Sequence, residues 1–267
     1  MGYEEWAPPP SLRGSVVCLW RRTASAGGSS VLVLPDGCVD LIWEQGRGAF
    51  LAGPDTGPMP GTMPAGKTMI GVRLRPGAGG PLLGMPLDPL RNLRVDLSDL
   101  RPDAARRLPD DLPPAEALHR LVTISGGFAE ERPPDPAMLA AVRWLDDPRA
   151  QVHDLSGRLD IGDRQLRRRF TAAVGYGPKT MHRVLRFRRF LELLDSAGGL
   201  GELAVRAGYV DQAHLSRETV ALAGLPPAAL ARDRQGAAPS VLTDPVGAKR
   251  SRILRKQPVQ TVDSPTV

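Results

Sequence analysis

The sequence predicts an α+β protein of two domains, in which a β-rich domain with some helices precedes an all-helical domain. In the first hundred residues, short runs of Val, Leu and Ile are separated by Gly and Pro, which is typical of short strands joined by turns. From Ala137 to about Arg234 the apolar residues recur at helical spacing, and no strand pattern returns. A length of 267 residues is sufficient for two hydrophobic cores.

The clearest strand candidates are residues 30–34, 39–43 and 69–74, with turn sequences at 35–37, 53–55 and 75–77. Many short strands in succession predict a sandwich or a small barrel. Helical spacing returns at residues 99–125, with a break at Pro113 and Pro114 and an end at Gly126 and Gly127.

Four segments follow from these patterns. Residues 1–130 form the front domain, and the charged, Pro-rich residues 131–136 form a linker that we expect not to pack. Residues 137–235 form the helical domain. Residues 236–267 contain few large apolar side chains and are predicted to be a disordered basic tail.

Composition excludes several classes of protein. Hydrophobic residues make up 42% of the chain and charged residues 24%, which is ordinary for a soluble globular protein. No apolar run approaches the roughly 18 residues that a membrane span needs. Residues 1–10 contain Glu4 and Glu5 but no basic residue, unlike a secretory signal. Two cysteines, Cys18 and Cys38, are too few for a disulfide framework, so we expect a cytoplasmic protein without membrane partners.

Positive charge is concentrated in the helical domain. Residues 1–136 carry 14 basic and 16 acidic side chains, whereas residues 137–235 carry 16 basic and 11 acidic ones. Between residues 163 and 189 there are nine basic residues and one acidic residue. A basic stripe of this kind is expected of a protein that binds a polyanion such as nucleic acid, although a solvated helix face is the alternative.

A helix-turn-helix pattern occupies residues 152–173. One helical face carries Val152, Leu155 and Leu159, and Asp160-Ile161-Gly162 forms a tight turn. A second helix then places Leu166 and Phe170 inward, which puts the following residues on its opposite face: Arg164, Arg167, Arg168 and Thr171. Arginine suits the major groove because its guanidinium can bind guanine or phosphate in a bidentate manner.

The same pattern recurs about 49 residues later. Leu203 and Ala204 start the first helix, Gly208-Tyr209-Val210 forms the turn, and the second helix opens at Asp211. With Leu215 buried, the residues on or beside the outer face include Gln212, Ala213, His214, Ser216 and Arg217. Between the two units, residues 179–194 form a long amphipathic helix that is expected to display Arg183, Arg186, Arg188 and Arg189.

Two such units joined by one long helix resemble the AraC/XylS family of transcription regulators. The resemblance covers residues 139–234. The matching positions of the first unit are Leu155, Leu166, Arg168, Phe170, Gly175 and Pro178. Those of the second unit are Leu203, Ala204, Gly208, Tyr209, Asp211, Ala213, His214, Leu215, Arg217, Ala223, Gly224 and Pro227.

Three positions depart from the family pattern. Ser156 replaces a usual Ala, and Asp160 replaces a turn Gly, although Asp can adopt the left-handed conformation. Thr219 stands where the second unit usually buries Phe, and residues 219–221 lack the basic side chains that are common there. The second unit is therefore expected to be less well packed and to bind DNA more weakly.

The resemblance implies that the two second helices enter successive major grooves of double-stranded DNA, roughly 34 Å apart. The expected base contacts are Arg164, Arg167, Arg168 and Thr171 in the first groove and Gln212, His214 and Arg217 in the second. The phosphate-contact candidates, with solvated surface as the alternative, are Lys179, Arg183, Arg186, Arg188 and Arg189. Arg169 borders the core and is left out.

The front domain resembles the poorly characterised domain that precedes many such regulators. The similar segments are residues 34–43, 53–54 and 71–77. The resemblance implies a β-rich, degenerate cupin-like barrel or sandwich that senses an unknown small molecule. An alternative is a domain that only forms a homodimer.

An enzymatic or metal-dependent front domain is not expected. All four histidines, His119, His153, His182 and His214, follow residue 118 and lie outside the β-rich segment, so we predict no metal and no cofactor. No phosphate-binding, dinucleotide-binding or nucleophile-elbow motif occurs. The remaining alternative is a DNA-binding alkyl acceptor, in which the turn at 35–37 would expose Cys38 as a reactive thiol; a buried small apolar side chain is the competing interpretation.

Overall fold

The computed structural model describes residues 2–235 and 241–242, and its first half is built mainly of strands. The predicted strands at 30–34, 39–43 and 69–74 are confirmed to within one residue at each end, as Ser29–Val33, Val39–Glu44 and Thr68–Leu74. The strands are β1 (Gly2–Trp6), β2 (Val16–Thr23), β3 (Ser29–Val33), β4 (Val39–Glu44), β5 (Gly48–Ala52), β6 (Met59–Met63), β7 (Thr68–Leu74), β8 (Arg94–Asp96) and β9 (Val241–Leu242).

The described strands form two sheets. The larger sheet has the order β1-β2-β7-β4-β5-β8 with antiparallel pairing throughout, and the smaller has the order β6-β3-β9. Strand β3 pairs with β6 in an antiparallel manner and with β9 in a parallel manner. Of the predicted tail at 236–267, only residues 241–242 are described, and disorder is a wrong prediction for these two. The rest of that prediction lies outside the described residues.

Strand β4 has two faces with different partners because successive side chains point to opposite sides of a sheet. Val39, Leu41 and Trp43 are buried in the core between the larger sheet and the helices of the front domain. Asp40, Ile42 and the preceding Cys38 point the other way, into a space between the two sheets. The alternation of β4 therefore separates the core of the domain from an internal cavity.

Helices cover the face of the larger sheet that carries Val39, Leu41 and Trp43. They are α1 (Gly79–Leu83), α2 (Leu97–Leu100), α3 (Pro102–Ala105) and α4 (Pro114–Glu131). Helix α4 was predicted to end at Gly126 and Gly127, and this is wrong. Each glycine in a helix costs about 1 kcal/mol, but Phe128, which directly follows them, is buried in the core and lies under the Arg101 guanidinium at 4.1 Å. Burial of a Phe side chain is worth about 2 kcal/mol or more, which offsets much of the glycine cost.

The segment between the domains is shorter than predicted and does pack. Helix α5 (Pro136–Leu145) begins directly after Asp135, whose carboxylate accepts a hydrogen bond from the Ala137 amide at 3.0 Å. The same carboxylate pairs with Arg169 at 2.6 Å. The prediction that residues 131–136 would not pack is therefore wrong at Asp135, which caps one helix and anchors another.

The second half of the described chain is helical, as predicted. A 3-10 turn at Val152–Asp154 precedes the remaining helices. These are α6 (Leu155–Leu159), α7 (Asp163–Val174), α8 (Pro178–Leu193), α9 (Leu200–Ala207), α10 (Gln212–Ala223) and α11 (Pro227–Gln235). Their apolar faces share one core, and the predicted inward residues Leu155, Leu166, Phe170, Leu203 and Leu215 are all buried in it. No described helix is both long and apolar enough to cross a membrane.

Loops of the front domain pack directly against the helical domain. The Leu87 amide donates to the Ala172 carbonyl of α7 at 2.9 Å. Gly80 of α1 lies so close to the same carbonyl that a Cβ atom there would be 2.6 Å from its oxygen. A Cβ atom on Gly175, which has φ of +94°, would meet Pro54 at 2.3 Å. Both glycines are therefore required by the close approach of the two domains.

Candidate functional site

The turn of the first helix-turn-helix unit is formed as its sequence predicts. Asp160 has φ of 51° and ψ of 45°, which is the left-handed conformation. The Ile161 amide donates to the Ser156 carbonyl at 3.1 Å and closes the turn. Gly162 then caps α7, which begins at Asp163. Aspartate thus replaces glycine at this turn, because a short polar side chain tolerates positive φ.

The outer face of α7 carries the three predicted arginines. Leu166, Phe170 and Ala173 are buried, whereas Arg164, Arg167 and Arg168 are exposed, and Thr171 is half-buried at one edge. No ion pair within the described part of the chain involves these three arginines. Their guanidiniums are therefore available to an anionic partner. Arg169 is instead held by Asp135, in agreement with its predicted place at the border of the core.

Helix α10 presents the corresponding face of the second unit. The Asp211 carboxylate accepts a hydrogen bond from the His214 amide at 2.6 Å and caps the helix. Gln212 and Arg217 are exposed, but His214 is half-buried with its ring packed edge-on against Tyr209 at 5.2 Å. Helix α10 thus offers one exposed cation where α7 offers three.

Thr219 lies inside α10 at the position where the family usually has Phe. It is fully buried, and its hydroxyl has no hydrogen-bond partner among the described residues. A buried hydroxyl without a partner costs about 1 to 3 kcal/mol. Thr219 thus places an unsatisfied polar group in the core of the second unit, and the weaker DNA binding of that unit stays a prediction.

The prediction that α8 displays its arginines is wrong, because all four are half-buried and contact residues outside α8. Arg183 pairs with Glu218 at 2.7 Å, and Arg188 pairs with Asp146 at 2.8 Å. Arg189 donates to the Ala207 carbonyl at 2.8 Å and also contacts Asp146. The Arg186 guanidinium lies 5.4 Å from the centre of the Tyr209 ring.

Among the phosphate-contact candidates on α8, only Lys179 is fully exposed. Sequence analysis singled out neither Asp146 nor Glu218, since each lies 35 to 43 residues from its arginine. These contacts give the long helix a structural role in fixing the two units relative to each other.

His182 of α8 is surrounded by positive charge. Partial burial, together with the nearby Arg186 and Arg189 guanidiniums, lowers its pKa from 6.5 to about 4. Its Nε2 atom is buried without a hydrogen-bond partner among the described residues. His182 is therefore neutral at physiological pH and is not a DNA contact by charge.

A groove runs between the outer face of α7 and a loop of the front domain. It is lined by Arg164, Arg167 and Arg168 on one side and by Pro86 and Asp88 on the other. Asp88 is exposed and opens a short 3-10 helix (Asp88–Leu90) that contacts α7. Sequence analysis missed this arrangement, because nothing in the pattern of either domain indicates that the two would dock here.

A cavity of about 330 Å³ lies between the two sheets of the front domain. One wall comes from β2, β4, β5 and β7, and the other comes from β3 and β6. Its lining combines large apolar side chains with four carboxylates and four guanidiniums. The apolar lining includes Trp20, Ile42, Phe50, Met59, Met63 and Met69.

Cys38 lines this cavity and is not exposed. Its side chain is buried, and burial together with the charge of Asp36 raises the pKa of the thiol well above its usual value. A thiol with a raised pKa is a poor nucleophile because the thiolate is the reactive form. The exposure of Cys38 that this alternative assumed is absent, and the competing interpretation of Cys38 as a buried side chain is confirmed. Within the described residues, no cluster of three or more His, Cys, Asp or Glu side chains is placed to hold a metal ion.

Comparison with known families supports the assignment of the helical domain. A family described as "Helix-turn-helix domain", of AraC type, matches residues 155–233, which span both units and the helix between them. The chain carries an AraC-type helix-turn-helix domain. It is accordingly a DNA-binding transcription regulator, a class whose members are typically not enzymes.

Residues 4–96, in front of the AraC-type domain, match a family described as a "Domain of unknown function (DUF6597)". This agrees with the expected poorly characterised front domain. No curated protein matches the chain.

Solved structures of ToxT from Vibrio cholerae are similar to the chain. A 1.65 Å structure is 10% identical, with a TM-score of 0.41, and the match covers 87% of this chain and 98% of ToxT. A structure from strain O395 is 8% identical over 79% and 97% of the two chains, with a TM-score of 0.41. A ToxT structure bound to an unsaturated fatty acid is 10% identical over 81% and 89%, with a TM-score of 0.36. TM-scores this low do not establish a shared fold.

Proposed function

We propose that this protein is a sequence-specific regulator that binds double-stranded DNA through α7 and α10 and is modulated by a small molecule in its front domain. The observation that carries the DNA-reading part is the outer face of α7, where Arg164, Arg167 and Arg168 are exposed and form no ion pair with another described residue. Arginines placed in this way can bind guanine edges in the major groove in a bidentate manner.

In the proposal α10 reads the next major groove with Gln212, His214 and Arg217. Its single exposed cation and half-buried histidine give it a smaller share of the binding free energy than α7. Thr171 and Lys179 complete the proposed contacts on the first unit and the long helix. Because Arg183 and Arg189 are bound to Glu218 and Ala207, they orient the two units rather than binding phosphate.

Modulation by the front domain is supported by the segments that both line the cavity and touch the AraC-type domain. Leu34, Asp36 and Cys38 line the cavity, and a Cβ atom on Gly37, in the same segment, would lie 2.6 Å from Met181 of α8. Gly53 and Asp55 line the cavity on either side of Pro54, which packs against Gly175 between α7 and α8.

Tyr176 adds a second link between the domains. It follows Gly175 in the turn after α7, and its hydroxyl is buried without a hydrogen-bond partner among the described residues. Burial and the nearby cavity-lining groups Asp36, Cys38 and Asp55 raise its pKa well above the usual value. A ligand that moves these segments would therefore act directly on the turn between α7 and α8.

The DNA-binding test begins by selecting an operator from random duplexes with the full chain. Affinities are then measured by electrophoretic shift over a salt series. Arg167→Ala and Arg168→Ala should each cost about 1 to 3 kcal/mol on the selected operator and less on unrelated DNA. Arg143→Ala, an exposed arginine on α5, is the matched control and should bind nearly as the wild type does.

If the variants instead lost the same affinity on every duplex, with the slope of log affinity against log salt concentration reduced by about one, that result would mean that these arginines contact phosphates. Failure of the full chain to select any sequence would contradict the proposal. A front domain that changes neither affinity nor selected sequence with any small molecule, but that holds two chains together in sedimentation experiments, would support the homodimer alternative.

A further inference from the structure

We propose that the cavity of the front domain binds an uncharged, predominantly apolar small molecule. This inference names the ligand class for the modulated regulator proposed above and rests on that function only for its biological meaning. It is carried by the contact of every charged residue in the cavity wall with another group of the protein, although one nitrogen of Arg22 and one of Arg73 are buried without a hydrogen-bond acceptor among the described residues.

The first charged pair consists of Asp55 and Arg94. Asp55 is buried, and both of its carboxylate oxygens accept hydrogen bonds from the Arg94 guanidinium, at 2.9 and 2.7 Å. This bidentate geometry uses the face of the arginine that a ligand carboxylate would otherwise take. An anionic ligand would have to displace Asp55 from a partner to which it is already bound.

The second group is centred on Arg73, which is buried among carboxylates. Its Nε atom lies 3.2 Å from Asp40 and 3.7 Å from Asp36. Asp40 also accepts a hydrogen bond from the Trp20 indole at 2.8 Å, and Asp36 accepts one from the Cys38 amide at 2.8 Å. The carboxylates that could attract a cationic ligand are therefore bound to an internal cation and to neutral donors.

The remaining charged residues also have partners. Glu44 lies 3.8 Å from Arg47, which itself reaches Asp96 at 3.0 Å. The buried Arg22 guanidinium lies 5.0 Å from the centre of the Tyr3 ring. The cavity wall contains four carboxylates and four guanidiniums, so its formal charges sum to zero. A ligand with a net charge would therefore lose its hydration without gaining a counter-ion, and that loss is costly in a buried site.

The space between these pairs is apolar and small. Trp20, Ile42 and Phe50 form part of the larger sheet's side of the cavity, whereas Met59 and Met63 approach from β6. Methionine side chains adapt their shape and make favourable contacts with aromatic rings. A volume of about 330 Å³ is near the lower end of the roughly 300 to 1,000 Å³ found for small-molecule sites. The cavity thus suits a compact ligand such as a substituted aromatic ring.

The test uses matched probes that share one ring and carry a short side chain that is neutral, anionic or cationic. One set is tryptophol, indole-3-acetate and tryptamine, and a second is 2-phenylethanol, phenylacetate and 2-phenylethylamine. Binding to the full chain is measured by isothermal titration calorimetry and by the shift in Tm. We expect at least one alcohol to bind, about tenfold or more tightly than the anion and the cation on the same ring, because only the alcohol avoids the cost of burying a charge.

Two cavity variants locate the binding. Ala52→Leu narrows the cavity from β5, and Met59→Trp narrows it from the opposite sheet. Either variant that retains the wild-type Tm should lose alcohol binding. Asp55→Asn should shift the preference toward indole-3-acetate, since it leaves the Arg94 guanidinium without its carboxylate partner.

Three outcomes would overturn the inference: equal or tighter binding of an acid or amine to the wild-type protein, no binding of any alcohol at millimolar concentration, or undiminished alcohol binding in both narrowed variants. None of these measurements involves DNA, so the ligand class and the proposed function can fail separately. A bound alcohol that leaves operator affinity unchanged would count against modulation but not against the ligand class.

Discussion

At the scale of single residues, Thr219 is a buried polar position that departs from the AraC/XylS pattern. Its side chain is completely buried in α10, and its hydroxyl finds no acceptor or donor in the described structure. We expect Thr219→Val to raise the free energy of unfolding by about 1 kcal/mol, because it removes the unsatisfied hydroxyl while keeping the branched shape. Urea unfolding followed by circular dichroism would measure this change.

The matched control is Thr219→Ser, which keeps the hydroxyl but deletes the methyl group. It should lower the free energy of unfolding, since it leaves a small void. A valine variant that is less stable than the wild type would mean that the hydroxyl has a partner, such as a buried water, and that the departure from Phe has another cause.

At the scale of elements, α8 contains a histidine that links stability to pH. The pKa of His182 is lowered from 6.5 to about 4 by burial and by Arg186 and Arg189. Between these two values the unfolded chain binds a proton that the folded chain does not. The contribution of His182 to stability is therefore fully present above about pH 6.5 and is lost as the pH falls toward 4.

We expect His182→Gln to flatten this part of the stability profile, because glutamine does not titrate. Urea midpoints at pH 4.5 and 7.5 would be compared for the variant and the wild type. The difference between the two proteins isolates His182 from the carboxyl groups that titrate in the same range. Identical pH slopes in the two proteins would contradict the lowered pKa.

The groove between α7 and the front domain makes a separate prediction at this scale. Asp88 places a negative charge in the groove that holds Arg164, Arg167 and Arg168. We expect Asp88→Asn to increase operator affinity by about 1.4- to fivefold at low salt, since an exposed charge interaction is worth about 0.2 to 1 kcal/mol. The increase should shrink as salt is added, because exposed charges are screened.

Asp99→Asn is the control for Asp88, because Asp99 is an exposed carboxylate of the same domain that does not line the groove. Electrophoretic shift over a salt series would compare the two variants. An equal effect of both substitutions would mean that only net charge matters, and not the place of Asp88 beside α7.

At the scale of the whole molecule, docking of the front domain depends on the missing side chain of Gly80. A Cβ atom there would lie 2.6 Å from the Ala172 carbonyl oxygen, the acceptor of the Leu87 amide at 2.9 Å. We expect Gly80→Ser to push the domains apart and to speed hydrogen exchange of the Leu87 amide by tenfold or more, on the order of the loss of one protecting hydrogen bond.

Gly126→Ser on α4 is the matched control, because nothing lies within 4 Å of a Cβ atom at Gly126. Exchange at Leu87 should be unchanged in this variant. Hydrogen exchange measured by mass spectrometry would follow peptides from both domains at once. Unchanged exchange at Leu87 in Gly80→Ser would show that the contact between the domains is not set by this glycine.

Local sequence was sufficient for three of the strands, for the two helix-turn-helix units and for the outer face of α7. Asp160 could be recognised as a turn residue because its tolerance of positive φ is a property of one side chain. Arg164, Arg167 and Arg168 could be placed outside because helical geometry fixes them once Leu166 and Phe170 are inside. The AraC-type domain followed from two such local patterns at a characteristic spacing.

Tertiary structure decided what the charged residues bind. The α8 arginines look exposed in sequence, but Asp146 and Glu218 pair with Arg183, Arg188 and Arg189 from distant parts of the chain, and these arginines are half-buried. Side chains alternate along β4, so the strand has two faces. The cavity exists only because the smaller sheet, formed from other parts of the chain, lies opposite one of these faces. The partners of these residues depend on how separate elements pack, so the sequence pattern within one element does not predict them.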